Sequence, residues 1–95
     1  MAAYVILIRE RLRDADAMAR YGEGAKNARG DHNITPLAFY GKHEVTEGAE
    51  ADGIVILSFP TMAEAKAWYD SPAYREARDH RFQAADYRVI FVEGV

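Results

Sequence analysis

The chain has 95 residues and a mass of 10.7 kDa, which suits one small domain, 1–95, and leaves no room for a second. Hydrophobic residues make up 49% of it and charged residues 28%, which excludes a disordered, collagen-like or membrane-embedded chain. A net charge of -3 argues against nucleic acid and anionic membranes as partners. The absence of cysteine excludes disulfides and is compatible with the cytoplasm, which we predict as the location.

A strand and a helix are predicted at the start of the chain. Ala3–Ile8 is short and rich in β-branched residues, as expected for a strand. A helical pattern follows, with Asp14 as a suitable N-cap, and ends near Gly30. Gly22 and Gly24 each weaken this helix by roughly 1 kcal/mol relative to alanine. The two glycines indicate either a tight contact that excludes a side chain or a weak helix.

Two further strands are predicted in the middle of the chain. The second runs from Leu37 to Val45, with an irregularity at Gly41, because glycine inside a strand often marks a bulge or a close approach. A polar loop, Glu47–Gly53, leads to the third strand, Ile54–Phe59. This third strand is apolar at every position except Ser58.

A divided helix and a last strand complete the chain. Thr61 and Glu64 have the spacing of a capping box, which predicts that a helix begins there. The helix breaks near Ser71-Pro72, where serine caps a new turn and proline fits the first helical position. A second short helix extends to about Arg81, and Tyr87–Val92 is the fourth strand.

The order of elements, β-α-β-β-α-β, predicts an α+β, ferredoxin-like fold with an antiparallel sheet. Right-handed crossovers place the helices on one face of the sheet, yet the strands are apolar on both faces. An exposed apolar face of this size favours burial against a second chain, so we predict a homodimer formed sheet against sheet. The alternative is a monomer whose open face is shielded by the loop around residues 46–53.

Several blocks of the sequence resemble those of a bacterial family, the domain-of-unknown-function family 1330. The most specific block is Ala67-Trp68-Tyr69 with Ser71-Pro72. Others are Asp14 with Met18 and Tyr21, Glu47-Gly48, Phe59-Pro60-Thr61, Ala65, Tyr74, Arg81, Ala84-Ala85 and Val92-Glu93-Gly94-Val95. The resemblance implies the dimeric α/β barrel superfamily, in which two ferredoxin-like sheets face each other. Family members tend to carry an arginine followed by glycines where this chain has Tyr40-Gly41-Lys42.

No strong catalytic motif is present: there is no phosphate-binding glycine loop, no Gly-x-Ser-x-Gly and no His-Glu-x-x-His. His32, His43 and His80 lack the short spacings of a metal site, so we predict no metal and no cofactor. If the second strand is regular, His43 shares a face with Phe39 and acts as an acid or base inside the barrel. The alternative is a solvated histidine near the end of a strand.

The remaining candidate residues have two interpretations each. Trp68, Tyr69 and Tyr74 either line a small-molecule pocket or pack in the core. Arg81 binds a carboxylate of a ligand or of the partner chain, or it forms a structural salt bridge. Ser58 either faces a polar cavity in the barrel or bonds locally to the backbone.

Three functions are compatible with these features. The first is a cofactor-independent enzyme that acts on a small organic acid or aromatic metabolite, by fold-level analogy, with His43, Tyr40 and Arg81 as acid–base and anion-binding candidates. The second is a non-catalytic module that binds a small molecule, and the third is a structural dimer with a filled interior. An enclosed pocket containing His43 or Arg81 favours the first, a dry apolar pocket the second, and the absence of a pocket the third.

Overall fold

The computed structural model describes residues 1–95, which form four strands and three helices. The strands are β1 (Ala3–Leu12), β2 (Thr35–Phe39), β3 (Gly53–Phe59) and β4 (Ala85–Glu93). The helices are α1 (Ala15–Ala28), α2 (Met62–Tyr69) and α3 (Pro72–Ala84). The strands pair in the order β2-β3-β1-β4, and every pair is antiparallel. The predicted α+β order is confirmed, with the second helical unit divided into α2 and α3.

Side-chain caps begin the helices where the sequence predicts. Asp14 accepts hydrogen bonds from two amides in the first turn of α1, at 3.0 and 3.1 Å. The Thr61 hydroxyl accepts from the amide three residues on, at 3.1 Å, and Ser71 does the same for α3 at 3.3 Å. Ser71 also donates to the carbonyl of Trp68 at 2.7 Å. Each cap satisfies an amide that the first turn of a helix leaves unpaired, so these boundaries are set locally.

The second strand is shorter than the sequence predicts. β2 ends at Phe39, because Tyr40 adopts a left-handed backbone conformation, with φ 53°, that a strand cannot continue. The segment Gly41–Asp52 is an irregular connection. The predicted strand to Val45 is therefore wrong, and so is the alternation that would place His43 on the face of Phe39.

The sheet has one face buried under the helices and one open face. Val5, Leu7, Val55 and Phe59 point toward the helices and are 5% exposed or less. Most of the residues that alternate with them are apolar too, yet they are only partly buried or exposed in a single chain. We call this surface the open face; it includes Tyr4, Ile6, Ile8, Ile54, Ile56 and Ile90. The sheet does not close on itself, and β2 and β4 are its edges.

The two glycines of α1 have different surroundings. A Cβ atom built on Gly24 would lie 2.9 Å from the Cβ atom of Ala77, so the glycine permits the close crossing of α1 and α3. A Cβ atom on Gly22 would meet nothing within 4 Å. Of the two sequence interpretations, the tight contact therefore holds for Gly24, and Gly22 borders open space.

Candidate functional site

A cavity of about 440 Å³ lies between α1 and the part of the sheet formed by β2, β3 and β1. Fifteen residues line it, and ten of them are hydrophobic. This volume and this composition are typical of sites for small organic molecules. The cavity is on the helix side of the sheet, and the open face, where two sheets would meet in a barrel, is the opposite side.

The cavity has an apolar floor and a more polar mouth. Buried residues from four elements form the floor: Leu7, Tyr21, Val55 and Trp68. Exposed residues form the mouth, namely Gly22, Lys26, Arg29, Pro36 and Phe39. A ligand in this cavity therefore meets apolar surface at depth and charge near solvent.

A second concavity lies on the outer surface between α1 and α3. This groove has a volume of about 330 Å³, and only two of the eight residues that line it are hydrophobic. It is wider open than the cavity and contains His80 beside Glu23 and Glu76. Because small-molecule sites are mostly apolar and bury most of their ligand, the cavity is the better candidate.

Tyr40 is one of the predicted ligand-binding residues that the structure places at the cavity. Its left-handed backbone directs its ring to the helix side, where the ring packs in T-shaped contact with Phe39 at 4.9 Å. A Cβ atom on Gly53 would lie 2.6 Å from this ring, so only glycine fits there. The Tyr40 hydroxyl shares a 2.5 Å hydrogen bond with that of Tyr87, and the Arg9 guanidinium lies 4.9 Å from its ring centre.

Trp68 belongs both to the core and to the cavity floor. Its side chain is 3% exposed and its ring packs against those of Phe59 at 5.3 Å and Tyr74 at 4.1 Å. Its remaining surface lines the cavity. Trp68 therefore packs in the core as one interpretation expected, and its role in ligand binding stays a prediction.

Arg81 is buried, with 2% exposure, and does not line the cavity. Its guanidinium donates to the hydroxyl of Tyr74 at 3.2 Å and to that of Tyr69 at 3.4 Å, and it lies 5.3 Å from the ring centre of Tyr87. The ion pairs of the protein are Arg9–Asp52 and Arg13–Asp86. The expected salt bridge of Arg81 is therefore wrong: tyrosine hydroxyls and aromatic rings replace the carboxylate.

Burial changes the ionisation of this tyrosine cluster. It raises the pKa of Tyr21 well above the usual value, and the neighbouring Tyr74 raises it further. It also raises the pKa of Tyr74 and of Tyr87. Burial alone lowers the pKa of Arg81, but the surrounding tyrosines outweigh it, and the net shift is upward. The tyrosines consequently remain neutral hydroxyls, and Arg81 remains a cation, at neutral pH.

The other predicted site residues lie away from the cavity. Tyr74 is fully buried in the core, and Tyr69 packs against Phe91 in T-shaped contact at 5.3 Å. Ser58 pairs with Tyr4 of β1 and belongs to the open face. His43 lies exposed in the connection after β2, where its Nε2 atom is 2.8 Å from the carbonyl oxygen of Ala51. The expectation that His43 faces a cavity shared with Phe39 is therefore wrong.

The charged residues of the cavity were not predicted from the sequence. Arg9 is in the second half of β1, Lys26 is in the last turn of α1, and Arg29 is the C-cap of that helix. The only available signal was the spacing of three between Lys26 and Arg29, which also suits basic residues at a helix C-terminus. The sequence alone does not indicate that Arg29 caps α1 or that it lies at the cavity mouth, because both depend on the fold.

The chain has no group of three or more His, Asp or Glu side chains placed to hold a metal ion. None of its helices is long and apolar enough to cross a membrane.

The sheet order and the paired helices define an α+β protein of ferredoxin-like architecture, with a ligand-sized cavity under α1. The model of one family, a domain of unknown function termed DUF1330, matches residues 2–95. The chain belongs to this family. No curated protein of known function matches it.

Solved structures share the fold at low sequence identity. A protein of unknown function from Rhodopseudomonas palustris is 24% identical, with a TM-score of 0.78 over 99% of this chain and 82% of that one. A dimeric ferredoxin-like protein of unknown function from Jannaschia is 16% identical, with a TM-score of 0.68 over 99% of this chain and 100% of that one. Another dimeric ferredoxin-like protein, from Thermobifida fusca, is 15% identical, with a TM-score of 0.66 over 97% and 90%. These similarities establish the fold alone.

Proposed function

We propose that this protein binds a small, mostly apolar organic molecule in the cavity under α1. The observation that carries the proposal is the cavity itself: about 440 Å³, with ten hydrophobic residues among the fifteen that line it. Its floor is made of side chains already held by the core, such as Trp68 and Val55. A preformed apolar site of this kind binds its ligand without the entropy cost of first ordering the side chains that line it.

The lining residues favour binding over acid–base catalysis. They include no histidine and no carboxylate, so none has an ordinary pKa close to neutrality, where general acids and bases work best. Tyr21 and Tyr40 line the cavity, but each hydroxyl is engaged by another tyrosine. The catalytic role of His43 and Arg81 remains a prediction that the cavity does not support.

Trp68 makes the proposal testable, because it is the only tryptophan of the chain and lies in the cavity floor. We expect the neutral nitroaromatic 4-nitrobenzamide to quench its fluorescence in a saturable way. The variant Gly22→Leu should abolish the saturable component, since its side chain would extend from a position with nothing within 4 Å at the cavity mouth.

The matched control is Ala19→Leu, on an exposed position of the same helix that does not line the cavity. This variant should quench as the parent protein does. Thermal melting of all three proteins checks that each is folded. Purely collisional quenching in the parent protein, or saturable quenching that survives Gly22→Leu, would contradict the proposed site.

The same proposal includes a homodimer, in which the open faces of two chains pack together as a dimeric α/β barrel. Two observations support it: β1, β3 and β4 all carry apolar residues on the open face, and two of the structural neighbours are described as dimeric. Exposed apolar patches of this kind are uncommon on monomers. The cytoplasm stays the predicted location.

The dimer is tested by Ile56→Asp, which places a charge in the middle of the open face. We expect a monomer or an unfolded chain by sedimentation velocity, because a buried unpaired carboxylate is strongly unfavourable. Ala67→Asp, at an exposed position of α2, is the control and should remain dimeric. A parent protein that sediments as a monomer, or an Ile56→Asp protein that remains a dimer at low micromolar concentration, would refute the sheet-to-sheet interface.

A further inference from the structure

The charges around the cavity differ in sign from those of the chain as a whole. The chain has fifteen acidic and twelve basic residues. The residues that line the cavity include Arg9, Lys26 and Arg29 but no aspartate or glutamate. The cavity is therefore a basic site in an acidic protein, which favours anionic ligands over neutral or cationic ones.

Two of the three cations are free to interact with a ligand. Arg9 is already neutralised by Asp52, with its Nε atom 3.3 Å from the carboxylate. Lys26 and Arg29 take part in neither of the two ion pairs of the protein. Arg29 donates one N–H to the carbonyl of Ile34 at 2.5 Å, which holds the guanidinium at the mouth and leaves further donors available.

The free charges and the apolar surface are at opposite ends of the cavity. Lys26 and Arg29 are exposed at the mouth, whereas Leu7 and Trp68, at 2% and 3% exposure, form the floor. A molecule that satisfies both ends has an anionic head near solvent and an apolar body at depth. Lysine and arginine bind such heads through charge-assisted hydrogen bonds.

We propose that the ligand is a small organic carboxylate, with its carboxylate at Lys26 and Arg29 and its ring or hydrocarbon part against the floor. This inference rests on the proposed binding function and adds the chemical class of the ligand. Both residues also lie at the negative end of the α1 dipole, where a cation stabilises the helix. If that were their only role, substituting them would lower helix stability and leave ligand binding unchanged.

The test compares two probes of nearly the same shape, 4-nitrobenzoate and 4-nitrobenzamide, by saturable quenching of Trp68. We expect the parent protein to bind the anion about tenfold more tightly than the amide. Lys26→Met should remove most of that difference, and Lys26→Arg should restore it. Lys66→Met, on an exposed position of α2 outside the cavity, should behave as the parent.

The outcomes separate the two proposals. If neither probe binds, the binding function fails and the ligand class fails with it. If the amide binds as tightly as the anion, or if Lys26→Met lowers the melting temperature without changing the preference for the anion, the carboxylate assignment is wrong and the binding function stands. Tighter binding of 4-nitrophenyl phosphate than of 4-nitrobenzoate would also overturn the carboxylate assignment.

Discussion

The layer between the sheet and the helices is packed differently at its two ends. Near β4, where α2 and α3 cover the sheet, the rings of Trp68, Tyr69, Tyr74 and Phe91 pack in a continuous series. The hydroxyls of Tyr69 and Tyr74 also bind Arg81 there. Near β2, where α1 covers the sheet, the cavity remains. We call these the filled end and the hollow end.

The difference follows from the residues that each helix directs inward. The divided helix contributes large aromatic rings, whereas the α1 residues that line the cavity include Gly22 and Ala25. Protein interiors are normally close-packed, and a space of this size persists only where side chains are too small to fill it. The hollow end is thus a consequence of small residues on one helix, and substitutions at each end test this account.

The largest effect is expected at Trp68, which belongs to both ends. Trp68→Ala removes its contacts with Phe59 and Tyr74 and joins the lost volume to the cavity, so it should lower the free energy of unfolding by about 3 to 5 kcal/mol. Urea unfolding measures the change, and Trp68→Phe is the control with a smaller loss. A Trp68→Ala protein with parent-like stability would show that this ring is not a core element.

A matched pair on α1 should give effects of opposite sign. Gly24→Ala forces a Cβ atom to within 2.9 Å of Ala77 and should cost about 1 to 3 kcal/mol. Gly22→Ala faces open space and should add about 0.5 to 1 kcal/mol, because alanine favours the helix. Chemical unfolding of both variants checks the signs; stabilisation by both would mean that α1 and α3 are not in close contact.

The smallest expected effect is the change of folding stability with pH that the buried tyrosines cause. Burial raises the pKa of Tyr21 and Tyr74 in the folded state, whereas unfolding returns each to an ordinary pKa of about 10. Their contribution to stability is therefore complete below about pH 10 and is lost as the pH rises through the folded-state values. We expect stability to fall by about 1 kcal/mol between pH 9.5 and 10.5.

Chemical unfolding at these two pH values measures the loss. The double variant Tyr21→Phe, Tyr74→Phe should show a smaller pH dependence than the parent, since phenylalanine does not ionise. An unchanged dependence would mean that the ionisation of these tyrosines is not suppressed by folding.

Features set by local sequence were predicted correctly. The caps at Asp14, Thr61 and Ser71 depend on hydrogen bonds within three residues, and they set the helix boundaries. The apolar, β-branched runs of β1, β3 and β4 predict the strands, and their order along the chain with the helices predicts the ferredoxin-like fold. The fold class could be predicted almost entirely from these local signals.

Features that depend on contacts between distant residues were not predictable. The end of β2 depends on the backbone of Tyr40, whose ring occupies the space left by Gly53. Arg81 meets Tyr69, which is twelve residues away on another helix, so this partner has no signature in the spacing of the sequence. The cavity is lined by Gly22 and Ala25 of α1 together with β1, β2 and β3, and it lies on the helix side of the sheet, whereas the sequence pointed to a space between two sheets.

The two edges of the sheet differ in a way that limits how chains can join. β2 has five residues, includes Pro36, which has no amide hydrogen, and shifts register at the next position. This edge gives no continuous ladder of hydrogen bonds to an added strand, whereas β4 provides nine residues of edge. With one such edge per molecule, assembly through added strands ends at a pair of chains and does not continue into a fibre.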